Sequence, residues 1–192
     1  MNNSEITHSN KKFENISYED KVVEGRYFAN CIFNKCNLKG CLFEDCSFDN
    51  CTFQECDLSL IKIKHTSFNG IKISDTKALG ILWFDATNPF SVNFKNSKIS
   101  YSSFFGKNLK KIQFVDCMAE DVDFSDCNLS MSNFSGCDLR GARFLNTDLT
   151  QANFIGAKNY LIDTHSNKLK KAKFSLPEAM SFLYSLGIDI VD

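Results

Sequence analysis

Every fifth residue from Phe13 is large and apolar: Phe13, Tyr18, Val23, Phe28, Phe33, Leu38, Phe43, Phe48, Phe53, Leu58, Ile63, Phe68 and Ile73. The pattern blurs over the next two repeats. It resumes one residue out of phase at Phe84 and runs on as Phe94, Ile99, Phe104, Leu109, Phe114, Ala119, Phe124, Leu129, Phe134, Leu139, Phe144, Leu149 and Phe154. A chain that is 43% hydrophobic does not produce two such runs by chance. The position two before each centre is small: Cys31, Cys36, Cys41, Cys46, Cys51 and Cys56, then Cys117, Cys127, Cys137, Ala142, Ala152 and Ala157, which accounts for all 9 Cys. The position just before the centre is polar, as at Asp57, Asp123, Asn128, Asn133, Asp138, Asp148 and Asn153.

A period of five fits neither the 3.6 of a helix nor the 2 of a long strand. It fits a two-part unit. In an extended segment, residues two apart face the same way. The Cys/Ala position and the Phe/Leu position therefore point inward together, and the Asp/Asn between them points out. The remaining two residues turn the chain, and Gly40, Gly70, Gly106, Gly136, Gly141 and Gly156 fall there. One unit cannot bury its own apolar side chains. Stacked coils about 4.8 Å apart can, through main-chain bonds between coils. The expected class is all-β.

These pentads resemble the pentapeptide-repeat proteins, with consensus Ala-(Asp/Asn)-Leu/Phe-X-X, over residues 13–174. Within that family, DTKALGI at 75–81 and the tail KAKFSLPEAMSFLYSLGIDIVD at 171–192 are similar to the quinolone-resistance and microcin-immunity branch. The resemblance implies a right-handed quadrilateral β-helix with four repeats per coil and a C-terminal helix that pairs two chains. It also implies binding to type II topoisomerases, DNA gyrase or topoisomerase IV, by imitation of duplex DNA, and protection of the enzyme from quinolones or peptide toxins. The chain then divides into a flexible N-terminus at 1–12, the β-helix at 13–174 with a phase break near 74–93, and a tail of helix and short strand at 175–192.

The tail carries its own signal. After Pro177, helical spacing joins Ala179, Met180, Phe182, Leu183 and Leu186; Gly187 is a stop, and Ile188, Ile190 and Val191 alternate. Two readings stand: a lid over the open end of the β-helix, or a homodimer interface of Met180, Phe182, Leu183, Leu186 and Ile188.

Candidate chemistry is sparse. The 3 His, His8, His65 and His165, are far apart, and no phosphate loop, nucleophile elbow or paired carboxylate motif is present. The expectation is no enzyme activity, no cofactor and no metal. Cysteines five apart lack the spacing of a zinc site. With four repeats per coil, Cys31 would stack on Cys51 and Cys36 on Cys56, within disulfide reach. The simpler reading is Cys as a slightly larger buried Ala. Neither a leader nor a long apolar run is present, so a cytoplasmic, membrane-free setting is expected.

Charge is what remains. The net charge is -1, but its distribution is zoned. Residues 41–58 hold Glu44, Asp45, Asp49, Glu55 and Asp57 with no base. Residues 59–111 hold Lys62, Lys64, Lys72, Lys77, Lys95, Lys98, Lys107, Lys110 and Lys111 against Asp75 and Asp85. Residues 112–139 hold Asp116, Glu120, Asp121, Asp123, Asp126 and Asp138 with no base. Along the implied rod this gives acidic, basic and acidic zones. Positions one coil apart on one corner are Glu55, Asp75, Asn96 and Asp116. The expected partner-binding edge is Glu55, Asp75, Asp116 and Asp126, a protein surface with no direct nucleic-acid binding. At the break, Trp83 and Phe90 lie off the strict pattern; they are either a repacked bulge or an exposed aromatic contact. A scaffold that docks some other protein is the alternative function.

Overall fold

The computed structural model describes residues 6–185. The strands are short: β1 (Ile6–Ser9), β2 (Lys12–Glu14), β3 (Val22–Glu24), β4 (Arg26–Ala29), β5 (Ile32–Asn34), β6 (Leu42–Glu44), β7 (Ser47–Asp49), β8 (Thr52–Gln54), β9 (Lys62–Lys64), β10 (Ser67–Ser74), β11 (Thr87–Lys95), β12 (Phe114–Val115), β13 (Asn153–Phe154) and β14 (Lys173–Phe174). Every pairing is parallel, and the register is twenty residues: Phe13 opposite Phe33, Phe28 opposite Phe48, Phe33 opposite Phe53. Four pentads thus make one coil. Stacking continues through single-residue bridges such as Asn37–Asp57, Asp57–Lys77 and Asn128–Asp148. The result is a parallel β-solenoid of about eight coils. The first coil starts earlier than Phe13. Residues 6–9, expected to belong to a flexible N-terminus, form β1 and pair with β4, and His8 stacks on Phe28 at 5.0 Å.

Each consensus position has a physical reason. At most turns, two residues after the centre, φ is positive, as at Asp45, Asn50, Asp116, Asp121 and Asn146. Gly, Asn and Asp adopt this left-handed conformation at least cost and fill most of these turns, with Lys35, Glu55, Leu60 and Tyr101 among the exceptions. The Asp or Asn before the centre accepts a main-chain bond two residues on: Ser59 N–H to Asp57 Oδ1 at 2.9 Å, Ser125 to Asp123 at 3.0 Å, Thr150 to Asp148 at 2.9 Å. The inward small residue is more than filler. Thiol or hydroxyl donates to the carbonyl one coil back: Cys46 Sγ to Val23 O at 3.2 Å, Thr66 Oγ1 to Phe43 O at 3.0 Å, Cys127 Sγ to Phe104 O at 3.0 Å. Cys, Thr and Ser are therefore interchangeable donors here, which Ala is not. All nine cysteines are buried and free.

The centres fill the interior as aromatic stacks. In the first coils, Phe28–Phe48–Phe68 climb one face at 4.7 and 5.1 Å, and Phe13–Phe33–Phe53 climb the next at 4.8 and 4.6 Å. In the later coils the second stack continues as Phe94–Phe114–Phe134–Phe154, but its partner is Phe104–Phe124–Phe144 on the fourth face. The break is where one stack changes face. Trp83 makes the transfer, edge-on to Phe68 at 5.5 Å and parallel to Phe104 at 6.0 Å. Trp83 is fully buried, and Leu82 bridges Ser103, so Trp83 sits in phase with Ile73 and Ala78 as a centre. Phe84 is 42% exposed. The pattern thus keeps its first phase through Trp83, and Phe84 is not a centre. The extra residue is absorbed between β10 and β11, where Ser67 pairs Thr87, Phe68 pairs Phe90 and Ile71 pairs Val92.

At the top, Phe174 stacks on Phe154 at 5.0 Å, and Phe182 packs edge-on to Phe174 at 4.7 Å. The tail's helical element is a short turn, Glu178–Met180 followed by Ser181–Ser185.

Candidate functional site

The corner predicted to be an acidic edge exists as a column. Its residues are Lys35, Glu55, Asp75, Asn96, Asp116 and Gly136, each in the left-handed turn conformation. Their stacking therefore has a backbone cause, independent of any partner. Electrostatically the column is broken. Lys35 pairs with Glu55 at 3.6 Å, and Asn96 Nδ2 donates to Asp75 Oδ1 at 2.6 Å. The exposed Lys72 and Lys95 flank Asp75 on one side, Lys77 and Lys98 on the other. Asp126 lies two pentads beyond Asp116, on the diagonally opposite corner, and is not part of the column.

The two acidic zones differ in kind. In the lower zone the carboxylates are engaged: Glu44 with Lys64, Asp45 with His65 at 3.2 Å, Glu55 with Lys35, and Asp49 with Asn69 Nδ2 at 3.0 Å. In the upper zone none of Asp116, Glu120, Asp121, Asp123, Asp126 and Asp138 is in an ion pair among the described residues, although Asp138 accepts from Asn159 Nδ2 at 2.8 Å and Asp123 stands opposite Arg143 across the ladder. Asp116, Asp121 and Asp126 occupy three consecutive corners of one coil, with Glu120 beside Asp121 in the same turn and Asp123 on the face that follows. Asp116, Asp121 and Asp126 thus form an open collar of corner carboxylates. Sequence reading located its residues but ranked the column above it, because partners one coil away were not visible.

The lysine belt needs one correction. Lys107 stands at an inward position, in line with Cys127 one coil on. Its ammonium donates to Ala86 O and lies 5.0 Å from the centre of the Phe90 ring. Burial lowers its pKa, with Asp85 opposing. It braces the bulge from inside. Phe90 is half-buried beneath it, and Trp83 is core, so neither is an exposed aromatic contact. The exposed apolar residues nearby are others: Leu60, Leu82, Phe84, Tyr101 and Phe105, each 42–59% exposed. They line the fourth face and its edge, where β9 ends its sheet and the next coil turns away as Trp83–Asp85. A recess of about 370 Å³ opens there between Leu60, Ile63 and Leu82.

In the tail, Met180 and Phe182 are half-buried and Leu183 is 37% exposed. Phe182 covers the last aromatic layer, as a lid would. Leu186 and Ile188 lie outside the described residues. Among the described residues no group of His, Cys, Asp and Glu is placed to hold a metal ion, and no helix is long and apolar enough to cross a membrane.

A parallel solenoid of five-residue units with its core filled by stacked side chains, and its charge ordered on corners and faces, is a repeat protein whose chemistry is on its surface. Profiles of the pentapeptide repeat region and of nine-copy pentapeptide repeats match residues 84–154 and 28–72, together more than half the chain. The chain belongs to the pentapeptide-repeat proteins. Its structure is similar to that of a trypsin-treated variant of QnrB1, a plasmid-mediated fluoroquinolone resistance protein. The TM-score is 0.63 at 19% identity, covering 96% of this chain and 100% of that one. A second trypsin-treated QnrB1 variant matches at TM-score 0.51 and 22% identity, over 97% and 99% of the two chains. Among curated protein sequences none matches significantly.

Proposed function

We propose that this protein is a non-catalytic, DNA-imitating ligand of a type II topoisomerase, DNA gyrase or topoisomerase IV, and that it protects the enzyme from a quinolone or peptide poison. The observation that carries the reading is the unpaired collar of Asp116, Asp121 and Asp126, a set of carboxylates on successive corners that a basic, DNA-binding surface would meet. The fold shared with a fluoroquinolone resistance protein supports it. In this reading the rod is right-handed and cytoplasmic, and it dimerises through the tail, with Met180 and Leu183 at the edge of that contact.

The test is gyrase supercoiling with a fluoroquinolone, with and without the protein. Restored supercoiling that is lost in Asp116→Lys/Asp121→Lys/Asp126→Lys, while Glu55→Lys and Asp75→Lys have little effect, is the expected result. No effect of the wild-type protein on gyrase sinks the reading. A second reading, a scaffold that docks another protein, is favoured by the apolar strip of Leu82, Phe84, Tyr101 and Phe105. It predicts that Phe84→Ser/Phe105→Ser abolishes partner capture while the collar variants leave it intact.

A further inference from the structure

The middle of the rod has a positive corner that imitation of DNA does not use. Lys72 and Lys95 lie on one face, Lys77 and Lys98 on the next, and the corner between them carries Asp75 and Asn96. All four lysines are exposed, and none is in an ion pair among the described residues. Lys77 and Lys98 are directly opposite each other across the ladder. Lys77 has Asp57 opposite it on its other side, but Lys72, Lys95 and Lys98 have no carboxylate directly across the ladder, and two like charges about 4.8 Å apart at the main chain repel. The only carboxylate on the corner already accepts the Asn96 amide at 2.6 Å. The composition narrows the partner. The four bases are Lys, without an Arg fork to grip a carboxylate. The outward positions of these coils on the two faces, Lys72, Ser74, Asn93, Lys95, Lys77 and Lys98, include no aromatic anchor. Protein interfaces are depleted in Lys and enriched in aromatic anchors, whereas nucleic-acid interfaces are strongly positive and draw on sequence-independent phosphate contacts.

We infer that this corner is a phosphate-backbone contact for duplex DNA, made by Lys72, Lys77, Lys95 and Lys98 and indifferent to base sequence. The inference reverses the expectation of no direct nucleic-acid binding and does not depend on the topoisomerase reading. Acidic residues lie on both sides, Glu55 and Asp57 one coil below and Asp116 one coil above, so the duplex is held at one height on the rod and held weakly.

The test is fluorescence anisotropy of a labelled duplex with the full chain. Four phosphate contacts give a slope of log K against log salt of about −3.6, a loss of about 150-fold between 50 and 200 mM. Lys77→Glu/Lys98→Glu should bind less tightly and show a slope of about −1.8 or shallower, about 12-fold over the same range. Lys72→Gln/Lys95→Gln tests the other face without charge reversal. Lys168→Glu/Lys170→Glu, the same charge change on a distant face, should bind as wild type. Circular dichroism and melting temperature confirm that each variant folds. Absence of wild-type binding at about 10⁻⁴ M protein in low salt overturns the inference. So does an equal loss in the distant control, which would make the effect one of net charge. A deca-glutamate peptide that binds the corner while duplex DNA neither binds nor competes would overturn it in favour of an acidic protein segment.

Discussion

Gly136 offers the sharpest test of how the corners work. Its φ is +71°, and a Cβ added there would stand 2.1 Å from Asp116 Oδ1 and 3.2 Å from Asp116 Cγ. Gly106 has nearly the same φ, +69°, with nothing within 4 Å of its added Cβ. Ala at Gly106 therefore costs only the left-handed conformation, about 1–2 kcal/mol. Ala at Gly136 costs that and also drives the Asp116 side chain from its rotamer, about 0.5–1.5 kcal/mol more. Truncating Asp116 to Ala removes the obstructing oxygen, so Asp116→Ala/Gly136→Ala should be less destabilised than the sum of its parts, with a coupling of about 1 kcal/mol. Urea unfolding at constant m-value measures each corner of the cycle. Equal losses for Gly106→Ala and Gly136→Ala, or strict additivity in the cycle, would refute the idea that neighbouring corners contact through the side chain of the lower one. The same displacement moves a carboxylate of the acidic collar, so Gly136→Ala should also weaken partner binding where Gly106→Ala does not.

Trp83→Ala should cost about 3–5 kcal/mol as a core truncation. Trp83→Phe should cost less, because the indole Nε1 has no hydrogen-bond partner to lose, and Phe84→Ser should stay within about 0.5 kcal/mol; urea unfolding ranks the three, and a ranking with Phe84 above Trp83 would restore the one-residue phase slip. At the inward position, Cys127→Thr should hold stability while Cys127→Val loses about 0.5–1.5 kcal/mol, since Val leaves Phe104 O without its donor. Burial pushes the Cys51 and Cys127 thiols up to about 12 from an ordinary value of 9.0. The folded state therefore favours the neutral thiol, and this contribution is whole below pH 9.0 and is lost as pH rises toward about 12. Thiol labelling at pH 8 should be slow in the native protein and complete on unfolding, and fast native labelling would contradict the burial. On the collar, Asp121→Asn should leave stability unchanged and reduce the salt sensitivity of partner binding, whereas Asp121→Val should destabilise, because a β-branched residue does not accept positive φ.

How much of this was legible in the sequence follows from what each residue answers to. The centres from Phe13 to Phe154 answer to one inward direction repeated every five residues, so the coil and its register could be read directly. The column of Glu55, Asp75, Asn96 and Asp116 was equally legible, since it needs only the repeat length and one slip. Where the slip falls was not. Leu82, Trp83 and Phe84 are three large apolar residues in a row, and hydrophobicity cannot say which points in. The answer comes from stacking, since only Trp83 spans from Phe68 to Phe104. Partners were also hidden. Lys35–Glu55 and Asn96–Asp75 are one coil apart, and no linear pattern distinguishes an engaged carboxylate from a free one. In the tail, helical spacing over 179–186 marks an amphipathic segment but leaves lid and interface equally open; among the described residues the regular helix is Ser181–Ser185, and Phe182 packs on Phe174 as a lid would.

The corners explain how such a repetitive fold can carry a message. Inward positions are held by packing, and the residue before each centre by its bond to the following main chain. At the turn the main constraint is conformational, since positive φ admits Gly, Asn and Asp with little penalty, and a Gly is needed in addition where the side chain one coil below lies against it, as at Gly136 and Gly141. Among those three the choice of charge is nearly free of the fold. A corner can thus be neutral, as at Gly136, polar, as at Asn146, or anionic, as at Asp116, Asp121 and Asp126, with the same backbone beneath. Where the residue before a centre is not Asp or Asn, that bond is absent and the outward position is free, and there Lys72, Lys77 and Lys98 stand. The acidic collar and the lysine corner are therefore sequence choices laid over a structure that does not require them. Surface function in this chain should accordingly be sought where charge departs from what the backbone asks. By that standard Asp75 is accounted for by the amide it accepts from Asn96, whereas the lysines around it are in no ion pair among the described residues.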